Sequence, residues 1–279
     1  MVTSRLAPGR RRLAAVLLAA SAFVAAAMPG PAAAETAPDA AMIAGLEADM
    51  VAALNQERTS RGLVAVRIDS RLMAIARARS NDMVAKDYFS HTQPDGRNVF
   101  DILTAQRVTW YNAGEIIAWN NYPLDSTVSS ADRQWMGSPS HKAIVVSTDY
   151  NYIGVGLAVD AATGKKLWTA VYMKGPDRTA AQASAYTPKL GSWTTSRTRS
   201  VKVAWTGYDP RLQVLTAGLR SFAVQIRTDG GIWRTVSSAT TSTAYWFRAW
   251  RGHWYDVRIA ARDRAGNQGA WVTKTVDLR

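Results

Sequence analysis

The spacing of apolar residues divides the chain into a helical part and a β-rich part. Four apolar side chains recur at every fourth position near the start: Met42, Leu46, Met50 and Leu54. This spacing predicts an amphipathic helix that ends near Gly62. A second helix is predicted to begin at Asp69 or Ser70, and one face of it carries Leu72, Ile75, Ala76, Arg79 and Met83. Shorter helices are predicted near 98–106 and from 126 or 130 to 136.

The pattern changes to that of strands after residue 150. Residues 153–159 and 167–173 predict two strands, the first with glycines where another element packs closely. Further strands are predicted at 201–205, 222–227, 233–236, 244–249, 254–260 and 271–276. The sequence therefore predicts an α+β domain at 46–176, a linker rich in small and polar residues at 177–197, and a small all-β sandwich at 198–279.

The first 34 residues have the layout of a secretory signal peptide. Four arginines precede an apolar run at 13–27, and Ala32–Ala34 supplies the small residues of a cleavage site. The run is shorter than the roughly 20 apolar residues that span a bilayer. We therefore predict a signal peptide at 1–34, a leader at 35–45, and no transmembrane segment in the mature chain.

Charge and cysteine content narrow the range of functions. The chain has no cysteine, which excludes disulfides, thiol nucleophiles and cysteine metal sites. The formal charge of +13 is concentrated in residues 188–279, which contain 15 Lys and Arg but only 5 Asp. This excess predicts an anionic partner, namely envelope polymer or lipid, and no specific nucleic acid. A solvated basic surface without a partner is the alternative.

Five segments resemble, in order, the CAP superfamily of secreted proteins, and most closely its bacterial SCP-like branch. They are 69–83, 89–96, 113–115, 135–141 and 153–156. The resemblance implies an α-β-α sandwich whose cleft holds two histidines and two acids. By motif, His91 and His141 match the histidines and Glu115 matches one acid. Where many eukaryotic members have the second acid, this chain has Ser138, and no motif places the nearby Asp132 in the cleft.

The C-terminal part carries a second resemblance. Tyr255, followed by an alternating strand and an Ala-x-Asp-x-Ala-Gly-Asn sequence ending at Asn267, resembles fibronectin type III-like repeats of bacterial extracellular proteins. Such modules usually act as spacers between domains or bind a partner. The tryptophans of the C-terminal part either pack the core of the sandwich or, where they lie exposed beside arginine, can stack on sugar rings. His253 is interpreted as a turn or strand residue.

Read on their own, the candidate residues allow several chemistries. Glu115 lies beside apolar residues, where a carboxylate needs a partner, and His91 follows the end of a predicted helix. His91, Glu115 and His141 could ligate Zn²⁺ or another divalent cation and activate water, although no local spacing enforces that geometry. Ser138 joins these three in the predicted ligand cleft. Its surroundings lack a nucleophile-elbow motif, so no catalytic residue is identified.

The sequence thus predicts a secreted bacterial binding protein, either released or retained at the cell wall. Its cleft is expected to hold a divalent metal or a small lipid or glycan ligand. Two alternatives stay open, and whether the protein is an enzyme depends on them. One is a metal-dependent extracellular hydrolase of wall polymer or peptide. The other is a structural or adhesive envelope protein in which the polar cluster braces the fold.

Overall fold

A computed structural model describes residues 38–279, so the predicted signal peptide and the start of the leader lie outside the described residues. The N-terminal region contains five helices: α1 (Ala40–Thr59), α2 (Ser70–Ala85), α3 (Val99–Ala105), α4 (Leu124–Gly137) and α5 (Pro139–Val145). Its four strands are β1 (Arg67–Ile68), β2 (Asn112–Asn120), β3 (Tyr152–Val159) and β4 (Lys166–Lys174). Within the described residues, no helix combines the length and apolar character that a bilayer crossing requires.

Short polar side chains begin the principal helices. The Asp39 carboxylate accepts a hydrogen bond from the Met42 backbone N–H at 2.7 Å, and Asp69 accepts one from Arg71 at 2.9 Å. Asn98 and Asp101 form a capping box at the start of α3. These bonds satisfy backbone N–H groups that have no partner in the first turn of a helix.

The four strands form one sheet in the order β1-β3-β4-β2, parallel only between β1 and β3. One face packs against α1, α4 and α5 around Trp135 and Trp168. The other face packs against α2 and α3 around Leu72 and Val171. The predicted α+β fold with helices on both faces of a sheet is therefore confirmed.

The C-terminal region is all-β, as predicted. Its strands are β5 (Gln182–Ala185), β6 (Lys189–Trp193), β7 (Thr198–Tyr208), β8 (Leu219–Thr228), β9 (Arg234–Thr240), β10 (Ala244–Trp250), β11 (Trp254–Asp263) and β12 (Val272–Asp277). They form two antiparallel sheets, one in the order β10-β7-β5 with β6 also paired to β7, the other in the order β12-β11-β8-β9. Alternate residues of both sheets share one core around Val203, Trp205, Val257 and Ile259.

The segment 177–197, predicted as a linker, contains two of these strands. β5 pairs with the later part of β7, and β6 pairs with its earlier part. Both strands lie at the sheet edge and carry mainly small or exposed side chains. Main-chain hydrogen bonds to β7 hold them in place, and these leave little trace in the side-chain pattern.

The loop between β7 and β8 joins the two regions. Leu212 is buried among the apolar residues that α2 and α3 contribute to the N-terminal core. The Gln213 side-chain oxygen accepts a hydrogen bond from the Val64 backbone N–H at 2.7 Å. Asn151 donates to the carbonyl oxygen of Val214 at 3.2 Å. The loop therefore contributes to both the core and the polar contacts of the N-terminal region.

Candidate functional site

Glu115 is the centre of a polar cluster between β2, α2 and the segment after α2. One of its oxygens, Oε2, lies 2.8 Å from Nδ1 of His91. The other, Oε1, accepts a hydrogen bond from Nε of Arg79 at 2.9 Å. The Glu115 and Arg79 side chains are almost completely buried, whereas the His91 side chain is 52% exposed. The cluster therefore presents one imidazole to solvent above a buried ion pair.

Arg79 also positions the segment that carries His91. Its Nη1 donates to the Tyr88 hydroxyl at 2.7 Å, and its Nη2 donates to the backbone oxygens of Ser90 at 2.8 Å and His91 at 3.1 Å. Burial lowers the pKa of Arg79, but the hydrogen bond and charge of Glu115 outweigh it and raise that pKa. Arg79 is therefore a charged residue that fixes both Glu115 and the backbone of His91.

The hydrogen-bond network continues from Arg79 to Asp82. The Tyr88 hydroxyl donates to Oδ2 of Asp82 at 2.6 Å, and the Gln93 side chain donates to the same oxygen at 2.9 Å. Burial raises the pKa of Asp82, but hydrogen bonds from Lys86, Tyr88 and Gln93 lower it to about 2. The ionised Asp82 thus orients Tyr88, which in turn accepts from Arg79.

His141 and Ser138 lie near the start of α5. Burial, and then the charge of His91, lower the pKa of His141, so its ring is neutral at pH 7. Ser138 Oγ lies 3.2 Å from Ser140 Oγ. In the part of the chain that the structure describes, no serine hydroxyl is hydrogen-bonded to His91 or His141, so no serine–histidine pair is formed.

A hollow of about 270 Å³ adjoins the Glu115 cluster. His91, Asn98 and Glu115 supply its polar lining, and its other walls are mainly apolar: Val99, Phe100, Ile144 and Tyr150. His141 and Ser138 do not line it. The hollow therefore suits a small apolar group with one polar atom.

The ligand atoms of His91, Glu115 and His141 are not gathered into the three-ligand set that the sequence predicted. Both Glu115 oxygens are engaged by Arg79 and His91. Among residues 38–279, one set of three acidic or histidine side chains has all of its ligand atoms within 4.8 Å of one another. That set is Asp177, Asp209 and Asp263, and not His91, Glu115 and His141. The atoms that could still bind a cation are Nε2 of His91 and the ring nitrogens of His141. Nδ1 of His91 is already hydrogen-bonded to Glu115.

Asp132 does not join this cluster. Burial raises its pKa, as does the charge of Glu57, while Arg133 and Arg61 oppose that shift. These charged neighbours lie on the α1 and α4 side of the sheet, whereas Arg79 of the site lies on α2, against the other face. Asp132 is therefore not the second acid of the site.

Sequence reasoning did not assign roles to Arg79, Tyr88 and Asp82. A signal for Arg79 was present, because an arginine on the apolar face of a helix requires a buried partner. The strand that carries Glu115 was not predicted either. β2 is buried along most of its length and so lacks the alternation that marks a half-buried strand.

Comparisons with known proteins agree with the fold. Residues 51–172 match CAP, the cysteine-rich secretory protein family. The protein YkwD of Bacillus subtilis (strain 168) is 30% identical over 131 residues, which are 47% of this chain and 48% of YkwD. The membrane protein YlbC of the same organism is 30% identical over 103 residues, which are 37% of this chain and 29% of YlbC. The chain thus spans at most about half the length of these curated relatives.

Two solved structures are also similar. An extracellular protein containing an SCP domain from Bacillus anthracis is 25% identical, with a TM-score of 0.42, over 47% of this chain and 41% of its own. An outer surface protein from Borrelia burgdorferi is 19% identical, also with a TM-score of 0.42, over 47% of this chain and 93% of its own.

Proposed function

With residues 51–172 as a CAP domain that has bacterial SCP-domain homologues, we propose that this protein is an extracellular binding protein. Its ligand is a small lipid or glycan fragment with an apolar part and one polar atom. The hollow beside Glu115 carries the proposal, because its lining combines apolar side chains with the hydrogen-bonded His91–Glu115 pair. The predicted signal peptide supports a location outside the cell.

A neutral apolar fluorophore, N-phenyl-1-naphthylamine, tests the hollow. We expect Ile144→Trp, which fills the hollow without removing a polar group, to abolish most of the fluorescence increase that the wild type produces. Ile232→Trp is the matched control, because Ile232 is 81% exposed in the C-terminal region. A wild type that gives no increase, or an Ile144→Trp variant that gives the full increase, contradicts the proposal.

A metal-dependent hydrolase is the second candidate, and the carboxylate-backed imidazole favours it. Zn²⁺ or another divalent cation would be held by Nε2 of His91 and by the His141 ring. Glu115 would hold the His91 ring through Nδ1, which leaves Nε2 as the ligand atom. A bound cation would supply a water of lowered pKa for hydrolysis of wall polymer or peptide.

Calorimetric titration of Zn²⁺ tests this second candidate. We expect one saturable site in the wild type, its loss in a His91→Ala, His141→Ala double variant, and its retention in His253→Ala. His253 is a suitable control because it is hydrogen-bonded to Asp229 in the C-terminal region. Equal binding by the wild type and the double variant rules out this metal site.

The C-terminal region is proposed to hold the protein near anionic envelope polymer or lipid. Residues 188–279 carry 15 Lys and Arg against 5 Asp. Salt screens such contacts, so retention of the full chain on a polyanion column should fall as ionic strength rises. Equal retention at low and high salt argues against this partner.

A further inference from the structure

The charge of the C-terminal region is unevenly divided between its two sheets. Residues 182–208 and 241–255, which include β5, β6, β7 and β10, contain no Asp or Glu. They contain six cations: Lys189, Arg197, Arg199, Lys202, Arg248 and Arg251. None of the six forms a salt bridge in the described chain, whereas Arg227 and Arg279 of the other half are paired with Asp256 and Asp277. The first sheet therefore carries cations with no acidic side chain of its own, whereas all five Asp of residues 188–279 lie outside 182–208 and 241–255.

The outward side chains of this sheet form a surface of cations and tryptophans. Trp246 lies opposite Lys202, which lies opposite Lys189 on the next strand. Arg248 lies opposite Ser200, and Trp250 lies opposite Thr198. The intervening Val201, Val203 and Ala249 point into the core. We call the outward side of β6, β7 and β10 the tryptophan face.

The large aromatic rings of this face are open to solvent. Trp246 is 57% exposed and Trp250 is 52% exposed. Lys202 Nζ lies 5.3 Å from the ring centre of Trp246. A shallow hollow of about 260 Å³ beside them includes Ser200, Trp246 and Arg248 in its lining. Tryptophan and arginine are enriched at interfaces relative to the rest of a protein surface.

We propose that the tryptophan face binds a linear acidic polysaccharide, an inference that rests on the proposed anionic partner of this region. Lys202 and Arg248 attract the carboxylates of the polymer, and Arg248 presents donors that match their geometry. Trp246 and Trp250 contact the apolar faces of sugar rings. Four residues apart on one strand, they lie about 13 Å from one another, so they reach separate sugars.

Single-stranded nucleic acid is the other polyanion that contacts exposed aromatic side chains. Successive bases stack on aromatic side chains that follow the strand closely. Trp246 and Trp250, with Arg248 between them on β10, suit an extended polysaccharide that contacts the tryptophan face at intervals. Single-stranded DNA is therefore the competing ligand in the test.

The first experiment measures alginate binding by the full chain with variants that remove the rings. We expect Trp246→Ala, Trp250→Ala to weaken binding about tenfold, the size of a moderate hot-spot effect. Trp119→Ala is the matched control, because Trp119 is 46% exposed and carries Lys165 Nζ at 4.7 Å, but lies on β2. Thermal melting of each variant shows whether its fold is kept.

A second pair of variants separates the face from the overall charge. Arg248→Glu and Arg234→Glu change the net charge equally, and both residues are exposed, but Arg234 lies on β9. We expect Arg248→Glu to weaken alginate binding several-fold more than Arg234→Glu. Equal losses, or unchanged binding after loss of both tryptophans, overturn the tryptophan face and leave the anionic partner standing.

Two other outcomes are decisive. If the wild type does not bind alginate or any other polyanion, both this inference and the proposed partner fail. If single-stranded DNA binds more tightly than alginate and depends on Trp246 and Trp250, the acidic polysaccharide is the wrong occupant of the face.

Discussion

At the scale of single residues, Arg79 determines the geometry of the candidate site. It neutralises Glu115 and holds the backbone oxygens of Ser90 and His91. Removing one partner of a buried ion pair leaves a charge without compensation, which destabilises a protein more than the intact pair stabilises it. Arg79 should therefore be important for stability as well as for the position of His91.

Replacing Arg79 by Met should lower the free energy of unfolding by about 3–5 kcal/mol, because the Glu115 carboxylate stays buried without its cation. Urea denaturation measures the change. Arg61→Met is the control: Arg61 pairs with Glu57 across one exposed turn, and its loss should change stability by less than about 0.5 kcal/mol. If Arg79→Met and Arg61→Met have the same effect, the pair does not brace the domain.

Asp209 provides a pH-dependent prediction. Burial raises its pKa, the Gly218 N–H opposes this, and the carboxylates of Asp177 and Asp263 raise it further. Because the folded-state pKa lies above the unfolded value, this group favours folding at acid pH and loses that contribution as pH rises through the folded pKa. Asp209→Asn should therefore melt at a higher temperature than the wild type at pH 7.

The difference in melting temperature should shrink as the pH falls through the raised pKa of Asp209, because the wild-type carboxylate then becomes protonated. The melts are recorded in EDTA, so that divalent cations do not bridge the three carboxylates. A lower melting temperature for Asp209→Asn at pH 7 would show that the ionised carboxylate is favourable in the fold.

At the scale of elements, close contact between α2 and β3 sets the position of Arg79. A Cβ atom on Gly154 would lie 2.0 Å from the Leu72 carbonyl carbon, and one on Gly156 would lie 2.2 Å from the Arg77 backbone nitrogen. Both contacts are with helix backbone, which moves only if the whole helix shifts. The two glycines therefore bring α2 close enough to the sheet for Arg79 to reach Glu115.

Gly156→Ala should destabilise the domain by about 3 kcal/mol, the upper part of the usual range for overpacking, since the added methyl group forces α2 off the sheet. Gly137→Ala is the matched control: no atom lies within 4 Å of the added Cβ, and alanine favours the helix. Chemical denaturation of both variants compares them. A small effect of Gly156→Ala would mean that the helix can shift without loss.

At the scale of the whole molecule, the loop after β7 couples the two regions. Leu212 is 1% exposed in the N-terminal core, and neighbouring residues of the loop exchange hydrogen bonds with Val64 and Asn151. A buried leucine and polar contacts shared between regions favour unfolding as one cooperative unit.

Leu212→Ala should lower stability by about 2–5 kcal/mol and separate the calorimetric unfolding into two transitions, because the cavity weakens the contact between the regions. Leu215→Ala, in the same loop but 47% exposed, should retain one transition. A single sharp transition in Leu212→Ala would indicate that other contacts couple the regions.

The sequence by itself determined the periodic elements, the division into α+β and all-β regions, and the excess positive charge at the C-terminal end. These properties are local, since the period of apolar residues identifies the buried face of a helix or strand. The motif resemblance also led to the His91–Glu115 contact, which the structure forms at 2.8 Å.

Only the tertiary structure decided which polar groups meet. It joined Arg79 to Glu115, kept Asp132 on another face, and brought Asp177, Asp209 and Asp263 within 4.8 Å of one another. It also made edge strands of 182–185 and 189–193, whose pairing depends on main-chain hydrogen bonds to β7. An apolar pattern specifies that a face is buried, but the partner across that face depends on packing between segments far apart in the chain.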